Sequence, residues 1–344
     1  MKNIKIKRFA ALSLICALLI CTCGCSQNKS TDTASAEFAA TSISSSVSDT
    51  ESEIISDEQD SDDDIAPAAV AGDVPAETST QKTDVSLSPD IFNSDYCYMK
   101  NVTTGYELLN KNASSTMYPA SMTKVMTALI CIENLPDTFE MVTVPNVDSL
   151  YEESASMAGF SSGESVSVYD LLYGILLPSG ADACEALATR VAGSEEAFVA
   201  LMNQKAAELG MTGTHFSNCT GLHSDDHYST CCDIELLFEK ALENSLFYEI
   251  ITSRSHTCAP TDVHPDGLTF ESTMFKSLSD NIMPNGAEIL GGKTGTTDEA
   301  GYCLVSFGSF DSCRYILVTG LGHFNDAEEH YNITDARTAY SSLS

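Results

Sequence analysis

The stretch "YPASMTKVMTALICIENLP", residues 118–136, is the most informative part of the chain. Its apolar residues recur at helical spacing, which predicts an amphipathic helix. Ser121 and Lys124 lie three residues apart, so a helix places both side chains on one face, within reach of each other. A neutral lysine can take the proton of a serine hydroxyl, and free N–H groups at a helix N-terminus can stabilise an oxyanion. The pair is equally compatible with an N-cap serine and a surface lysine.

Two further short motifs follow in the sequence. In "LLPSGADA", Ser179 comes directly after a predicted helix that Pro178 ends. In "ILGGKTGTT", a run typical of a strand leads into Lys293, Thr294, Gly295 and Thr296. Taken alone, the first motif is compatible with an N-cap and the second with a turn.

Together, in this order, the three motifs resemble the active site of the penicillin-binding proteins and serine β-lactamases. The chain is similar over residues 90–342 to the serine-type D-alanyl-D-alanine carboxypeptidases. This similarity rests on the three motifs and on residues 167–237, "SVYDLLYGILLPSGADACEALATRVAGSEEAFVALMNQKAAELGMTGTHFSNCTGLHSDDHYSTCCDIELL". These are the low-molecular-mass penicillin-binding proteins. The resemblance implies an α+β penicillin-recognising fold: an antiparallel sheet flanked by helices, plus a helical lobe.

The resemblance also implies roles for the motif residues. Ser121 would be the acylated nucleophile, Lys124 its base, and Ser179 a proton relay to the leaving amine. The backbone N–H groups of Ser121 and Thr296 would form the oxyanion hole. Lys293 would add positive potential and, with Thr294 and Thr296, hold the substrate's terminal carboxylate. Gly295 belongs to the same substrate-binding motif. The implied reaction removes the terminal D-alanine from peptidoglycan stem pentapeptides, and β-lactams would acylate the same serine. No cofactor is implied.

One position departs from the family pattern. The second motif of the family is Ser-x-Asn, and Ala181 stands where the asparagine is expected. The missing amide normally grips the substrate's peptide group, and its loss should cost about 1 to 3 kcal/mol unless another group replaces it. A literal Ser-Asp-Asn does occur at 279–281, which is an alternative second motif only 12 residues before Lys293.

The two ends of the catalytic region have strand patterns and its middle has helix patterns. Residues 95–112 predict two strands around a Thr-Thr-Gly turn, and residues 300–322 predict a hairpin that turns over residues 308–312. Ser167 and Ser194 predict helix N-caps, and Gly210 predicts a helix end. This order predicts one sheet in which the first and last strands meet, covered by helices.

The remaining chain predicts export and anchoring. Residues 1–25 have a basic start and an apolar run, as in an export signal. The run ends at Cys25, which resembles the lipidated cysteine of bacterial lipoproteins and implies a membrane partner reached through an N-terminal lipid anchor. Secretion with an uncleaved anchor, or lipidation of a different cysteine, stays open. Residues 26–88 carry 14 acidic and 2 basic side chains and predict a disordered tether, so residues 89–344 would form the catalytic domain. The expected location is the extracytoplasmic face of the cell membrane, or the cell wall.

Composition and spacing argue against several other classes. The formal net charge of −32 repels phosphate backbones, so nucleic acid is not an expected partner. His215, His223 and His227 crowd one segment, but in the family it resembles this is a structural loop, and no metal site is expected. The cysteines beyond the leader have no zinc-site spacing and predict buried free thiols. Two alternative functions remain: a non-catalytic penicillin- or peptidoglycan-binding lipoprotein, and a β-lactamase.

Overall fold

The computed structural model describes residues 84–323 and 330–344. The predicted signal segment, Cys25 and residues 26–83 of the predicted tether lie outside the described residues. Residues 84–88, the last five of that predicted tether, contact strands of the folded region. Leu87 N–H donates to the Leu108 carbonyl at 2.7 Å, and the Asp84 carboxylate accepts from Asn101 Nδ2 at 3.0 Å.

The described residues form strands and helices in mixed order, and the three longest strands, of ten residues each, lie near the C-terminus. The strands are β1 (Tyr96–Asn101), β2 (Tyr106–Lys111), β3 (Met141–Thr143), β4 (Ser165–Ser167), β5 (Ser255–Thr257), β6 (Thr269–Glu271), β7 (Glu288–Thr297), β8 (Gly301–Phe310) and β9 (Cys313–Gly322). The helices are α1 (Lys124–Asn134), α2 (Asp148–Glu152), α3 (Val168–Leu176), α4 (Ala181–Ala192), α5 (Glu195–Leu209), α6 (Cys231–Leu242), α7 (Ser245–Thr252), α8 (Thr273–Leu278) and α9 (Tyr331–Ser341).

Five strands form one antiparallel sheet in the order β2-β1-β9-β8-β7. β1 pairs with β9, with Tyr96 opposite Gly320, so the predicted meeting of the first and last strands is confirmed. β7 is an edge strand of this sheet. Two small two-stranded sheets, β3 with β4 and β5 with β6, lie outside it.

The sheet separates two apolar cores. Alternate residues of β8 and β9 point to opposite faces, so that Val305 and Ile316 join one cluster while Leu304 and Leu317 join the other. The larger cluster includes residues of α1 to α7, and the smaller one includes residues of α8 and α9. The predicted fold class, an antiparallel sheet flanked by helices, is confirmed.

The predicted hairpin turn, residues 308–312, contains the observed turn but starts three residues too early. β8 continues to Phe310, and the turn consists of Asp311 and Ser312, with φ of 47° and 66°. Two residues at positive φ are typical of the tight turns that match strand twist. Gly308 belongs to the strand, where it pairs with Ile289 and Tyr315. A Cβ there would lie 2.6 Å from Tyr340 Cε1, so the glycine makes room for the α9 side chain.

The first eight residues of helix α1 are buried on all sides and only its last turn reaches solvent, which corrects its reading as amphipathic. Every residue from Lys124 to Cys131 is buried, and a short 3-10 helix, Ala120–Thr123, precedes it. The other predicted boundaries are confirmed: Ser167 and Ser194 accept N-cap hydrogen bonds, and Gly210 ends α5 at φ 78°.

Nine cysteines lie in the described residues, and all nine are free thiols, seven of them buried. Among the described residues, none of the helices combines the length and apolar content needed to cross a bilayer.

Candidate active site

Ser121 and Lys124 meet at the start of helix α1. Lys124 Nζ lies 3.1 Å from Ser121 Oγ and donates to the Thr220 carbonyl at 2.5 Å. The backbone before the serine is unusual, because Ala120 has a φ of 46°. Gly221 packs against it, and a Cβ at Gly221 would lie 2.0 Å from the Ala120 carbonyl oxygen. A glycine is therefore required at 221 to let the two segments approach.

The environment of Lys124 favours its neutral form. The side chain is only 2% exposed, and burial lowers the pKa of Lys124 from its ordinary value. A lysine with a lowered pKa has a larger neutral fraction near pH 7 and can accept a proton from the serine.

Lys293 and Ser179 form a second lysine–serine pair. Lys293 extends from β7 and is fully buried, and its Nζ donates to Ser179 Oγ at 2.9 Å and to the Thr294 carbonyl at 2.8 Å. Ser179 lies between α3 and α4 with a φ of 70°, a rarely adopted conformation that aims its hydroxyl at the lysine. Burial, and then the nearby charge of Lys124, lower the pKa of Lys293 well below its ordinary value.

β7 passes directly beside the serine. A Cβ at Gly295 would lie 2.9 Å from the Ser121 backbone nitrogen and 3.0 Å from the Pro119 carbonyl oxygen, so only glycine allows this approach. Thr294 shares a 2.7 Å hydrogen bond with Thr273 of α8. Thr296 is exposed next to the Gly295 contact.

One cleft of about 220 Å³ contains these groups. Of the predicted residues, Ser121, Ser179, Thr294, Gly295 and Thr296 line it, and the two lysines lie beneath. The structure thus brings together all seven residues predicted from the three motifs. Other lining residues carry no local sequence signal and were not predicted: Ser156, Thr273, Ser277, Tyr302, His330, Asn332 and Ile333.

The sequence profile of peptidase family S11, D-alanyl-D-alanine carboxypeptidase, matches residues 83–324. The chain belongs to this family.

Curated relatives of the family include D-alanyl-D-alanine carboxypeptidase DacF of Bacillus subtilis, 35% identical over 221 residues, which are 62% of this chain and 54% of DacF. DacC of Escherichia coli is 33% identical over 240 residues, 66% of this chain and 57% of DacC. The chain therefore spans little more than half the length of these relatives. Among solved structures, the Streptomyces K15 DD-transpeptidase aligns with a TM-score of 0.65 and 27% identity, covering 74% of this chain and 99% of that one.

Ala181, which departs from the family motif, is hydrogen-bonded to the loop that contains residues 156–160. The Ala181 side chain is buried, and its N–H donates to the Ser156 carbonyl at 2.8 Å. The neighbouring Asp182 carboxylate accepts from the backbone N–H groups of residues 158, 159 and 160. These bonds hold the loop against α4 and leave Ser156 exposed on the cleft wall.

The alternative second motif at 279–281 is excluded by its position. Ser279 lines a different cavity, beside Arg337. The side-chain amide of Asn281 already has partners within the protein, since its nitrogen donates to the Glu288 carboxylate and to the Ile289 carbonyl.

The three histidines noted in the sequence have separate partners. His227 is buried; Ser217 N–H donates to its Nδ1, so its Nε2 carries the proton and donates to Thr123 Oγ1 at 2.7 Å. Burial lowers the pKa of His227 to about 4, which keeps the ring neutral. His215 Nδ1 lies 2.6 Å from the Asp226 carbonyl, and His223 packs on Tyr118. They do not converge on one point.

Proposed function

We propose that this chain is a serine D-alanyl-D-alanine carboxypeptidase, which removes the terminal D-alanine from peptidoglycan stem pentapeptides. The observation that carries the proposal is the convergence of two lysine–serine pairs, Ser121 with Lys124 and Ser179 with Lys293, on one cleft beside β7. Membership of the family supports the substrate class.

In the acylation step, Lys124 Nζ takes the proton of Ser121 Oγ, which bonds to the carbonyl carbon of the penultimate D-alanine. The short Nζ–Oγ distance of 3.1 Å and the lowered pKa of Lys124 both support this role. The negative charge that develops on the carbonyl oxygen is stabilised by the backbone N–H groups of Ser121 and Thr296. The position of Gly295 against the Ser121 nitrogen supports this pairing.

The bond to the terminal D-alanine then breaks as its nitrogen receives, through Ser179, the proton that Lys124 took from Ser121. Water hydrolyses the remaining ester and frees Ser121. The terminal carboxylate lies near Lys293 and the side chains of Thr294 and Thr296. A carboxylate there offsets the cost of a buried lysine charge, so substrate binding favours the protonated form of Lys293.

β-Lactams are expected to acylate Ser121 because they mimic the D-alanyl-D-alanine dipeptide. Fast release of the resulting ester, as in a β-lactamase, needs a base that activates water. No Asp or Glu is found among the described residues that line the cleft, which favours a carboxypeptidase over a β-lactamase.

Location and anchoring are part of the same proposal. The leader pattern supports export and lipidation at Cys25, which would hold the enzyme at the extracytoplasmic face of the cell membrane, with residues 26–83 as the tether.

Release of D-alanine from diacetyl-Lys-D-Ala-D-Ala tests the proposed activity. We expect D-alanine from the wild-type chain and none from Ser121→Ala, while a Ser149→Ala control, on α2 outside the cleft, keeps the wild-type rate. Penicillin labelling without any D-alanine release would instead identify the non-catalytic binder that Ala181 makes conceivable. Rapid turnover of the penicillin label would identify a β-lactamase.

A further inference from the structure

The order of groups along β7 fixes the direction of the substrate, if the proposed function holds. Lys293 and Thr294, near the expected carboxylate, come first along the strand, and Gly295, beside Ser121, comes next. The substrate's C-terminus therefore points towards the start of the strand, so the peptide runs antiparallel to β7 along its free edge. Its upstream residues must extend towards the turn that follows Thr297.

A second cavity, of about 220 Å³, adjoins the turn that follows β7. Tyr118, three residues before Ser121, and Glu299, three residues after Thr296, both line it. The peptide segment before the serine and the turn after β7 thus connect this cavity with the cleft. The cavity therefore lies on the side of the cleft towards which the residue preceding D-Ala-D-Ala would extend.

The lining of this cavity combines aromatic rings with acidic groups. Tyr96, Tyr118 and Tyr228 contribute rings, and Asp225 and Glu299 contribute carboxylates. No lysine or arginine is found among its described lining residues. Tyrosine faces and carboxylates both attract an organic cation, and the rings also pack against an alkyl chain.

The two carboxylates remain accessible. They flank the His223 ring, with Glu299 Oε2 3.8 Å from Nδ1 and Asp225 Oδ1 3.7 Å from Nε2. Both distances exceed hydrogen-bond length, and both acidic residues are exposed. The His223 ring itself is fixed by an edge contact with Tyr118, 4.7 Å between centroids.

We propose that this cavity is a subsite for a primary ammonium group on an alkyl chain, namely the side-chain amine of the stem-peptide residue that precedes D-Ala-D-Ala. Asp225 and Glu299 pair with the ammonium, and the tyrosines contact the alkyl chain. The subsite selects stem peptides whose side-chain amine is free over those in which it is acylated or cross-linked.

Two substrates that differ in one group test the subsite. Both are Nα-acetyl-Lys-D-Ala-D-Ala peptides, one with a free ε-amine and one with the ε-amine acetylated. We expect the wild-type kcat/KM to be about fivefold higher for the free amine, the scale of an exposed ion pair. The preference should fall as salt is raised. The double variant Asp225→Asn, Glu299→Gln should bring the ratio to about one and leave the acetylated substrate unaffected. Glu243→Gln, an exposed acid at the end of α6, should keep the wild-type ratio.

Equal wild-type rates for the two peptides would overturn the subsite while leaving the carboxypeptidase proposal intact. If neither peptide releases D-alanine, the proposed function fails, and the subsite is then judged by calorimetric binding of both peptides to Ser121→Ala. Tighter binding of the free amine that the double variant abolishes supports the subsite, and equal binding overturns it.

Discussion

At the level of single residues, the cleft depends on buried polar groups that are costly to the fold. Lys124 and Lys293 are both buried and lie close enough for their charges to interact. Burial of an ionisable amine without a counter-ion lowers its pKa and costs stability. Such a cost is typical of catalytic sites, where it prepares a group for proton transfer.

The lowered pKa of Lys124 should be visible in the pH dependence of acylation. We expect the rate of penicillin acylation to rise with pH and to level off below 10.5, the ordinary lysine value. The unfolded chain binds this proton more tightly than the folded chain. The stability cost is therefore full below the folded-state pKa, shrinks as pH rises, and vanishes near the ordinary value.

Lys124→Met should separate the role of this lysine in acylation from the stability cost of its burial. We expect acylation to be abolished and the free energy of unfolding at pH 7 to be unchanged or higher. Stopped-flow acylation and urea denaturation measure them. A wild-type rate that keeps rising tenfold per pH unit beyond pH 10 would mean that the lysine is not perturbed.

Ser156 is positioned to compensate for the missing amide at Ala181. Its carbonyl is fixed by the Ala181 N–H and its side chain is exposed on the cleft wall. We expect Ser156→Ala to lower kcat/KM about fivefold, the value of one hydrogen bond. Ala181→Asn should raise it by a similar factor, and in that background Ser156→Ala should have less effect, because the two groups serve one contact. Independent, additive effects would show that Ser156 does not replace the asparagine.

At the level of elements, local signals predicted most boundaries because the caps act over one helical turn. Ser167 and Ser194 bond backbone groups three residues away, which a sequence pattern captures. The error in α1 has a different cause. Its polar residues suggested a solvent-facing side, yet Thr127 donates to the Cys219 carbonyl at 2.6 Å, and Thr123 bonds His227. Partners about a hundred positions away cannot be found from helical periodicity.

The β8–β9 turn offers a test of the revised boundary. Ser312 has a φ of 66°, which costs a residue with a side chain about 1 kcal/mol relative to glycine. We expect Ser312→Gly to raise the free energy of unfolding by about 0.5 to 1 kcal/mol without affecting acylation. Gly308→Ser should instead destabilise the protein, because the new Cβ would meet Tyr340. If urea denaturation instead shows that Ser312→Gly destabilises the protein and Gly308→Ser does not, the turn would begin at residue 308, as the sequence analysis predicted.

At the level of the whole molecule, the cleft forms where the edge strand β7 meets the segments that precede α1 and α4. The three motifs carry enough local information to name seven of its residues, but Ser156, Thr273 and Tyr302 come from parts of the chain without a motif. Only the folded topology places them at the cleft. The sheet order that brings β7 to this edge was predicted no further than the meeting of β1 with β9.

Attachment to the membrane is expected to depend on one leader cysteine. In cells that carry out lipoprotein modification, Cys25→Ser should move the full-length chain from the membrane fraction to the soluble or secreted fraction and abolish labelling by an alkyne fatty acid. Cys21→Ser and Cys23→Ser serve as matched controls and should keep the label. Loss of the label in Cys23→Ser, with the label retained in Cys25→Ser, would assign lipidation to the other cysteine.

The most direct test of the proposed chemistry is to locate the covalent adduct. The full-length chain is incubated with benzylpenicillin, digested, and mapped by tandem mass spectrometry. We expect one penicilloyl group, on Ser121, and none after Ser121→Ala. An adduct on any other residue, or D-alanine release that survives Ser121→Ala, would contradict the assignment of the nucleophile.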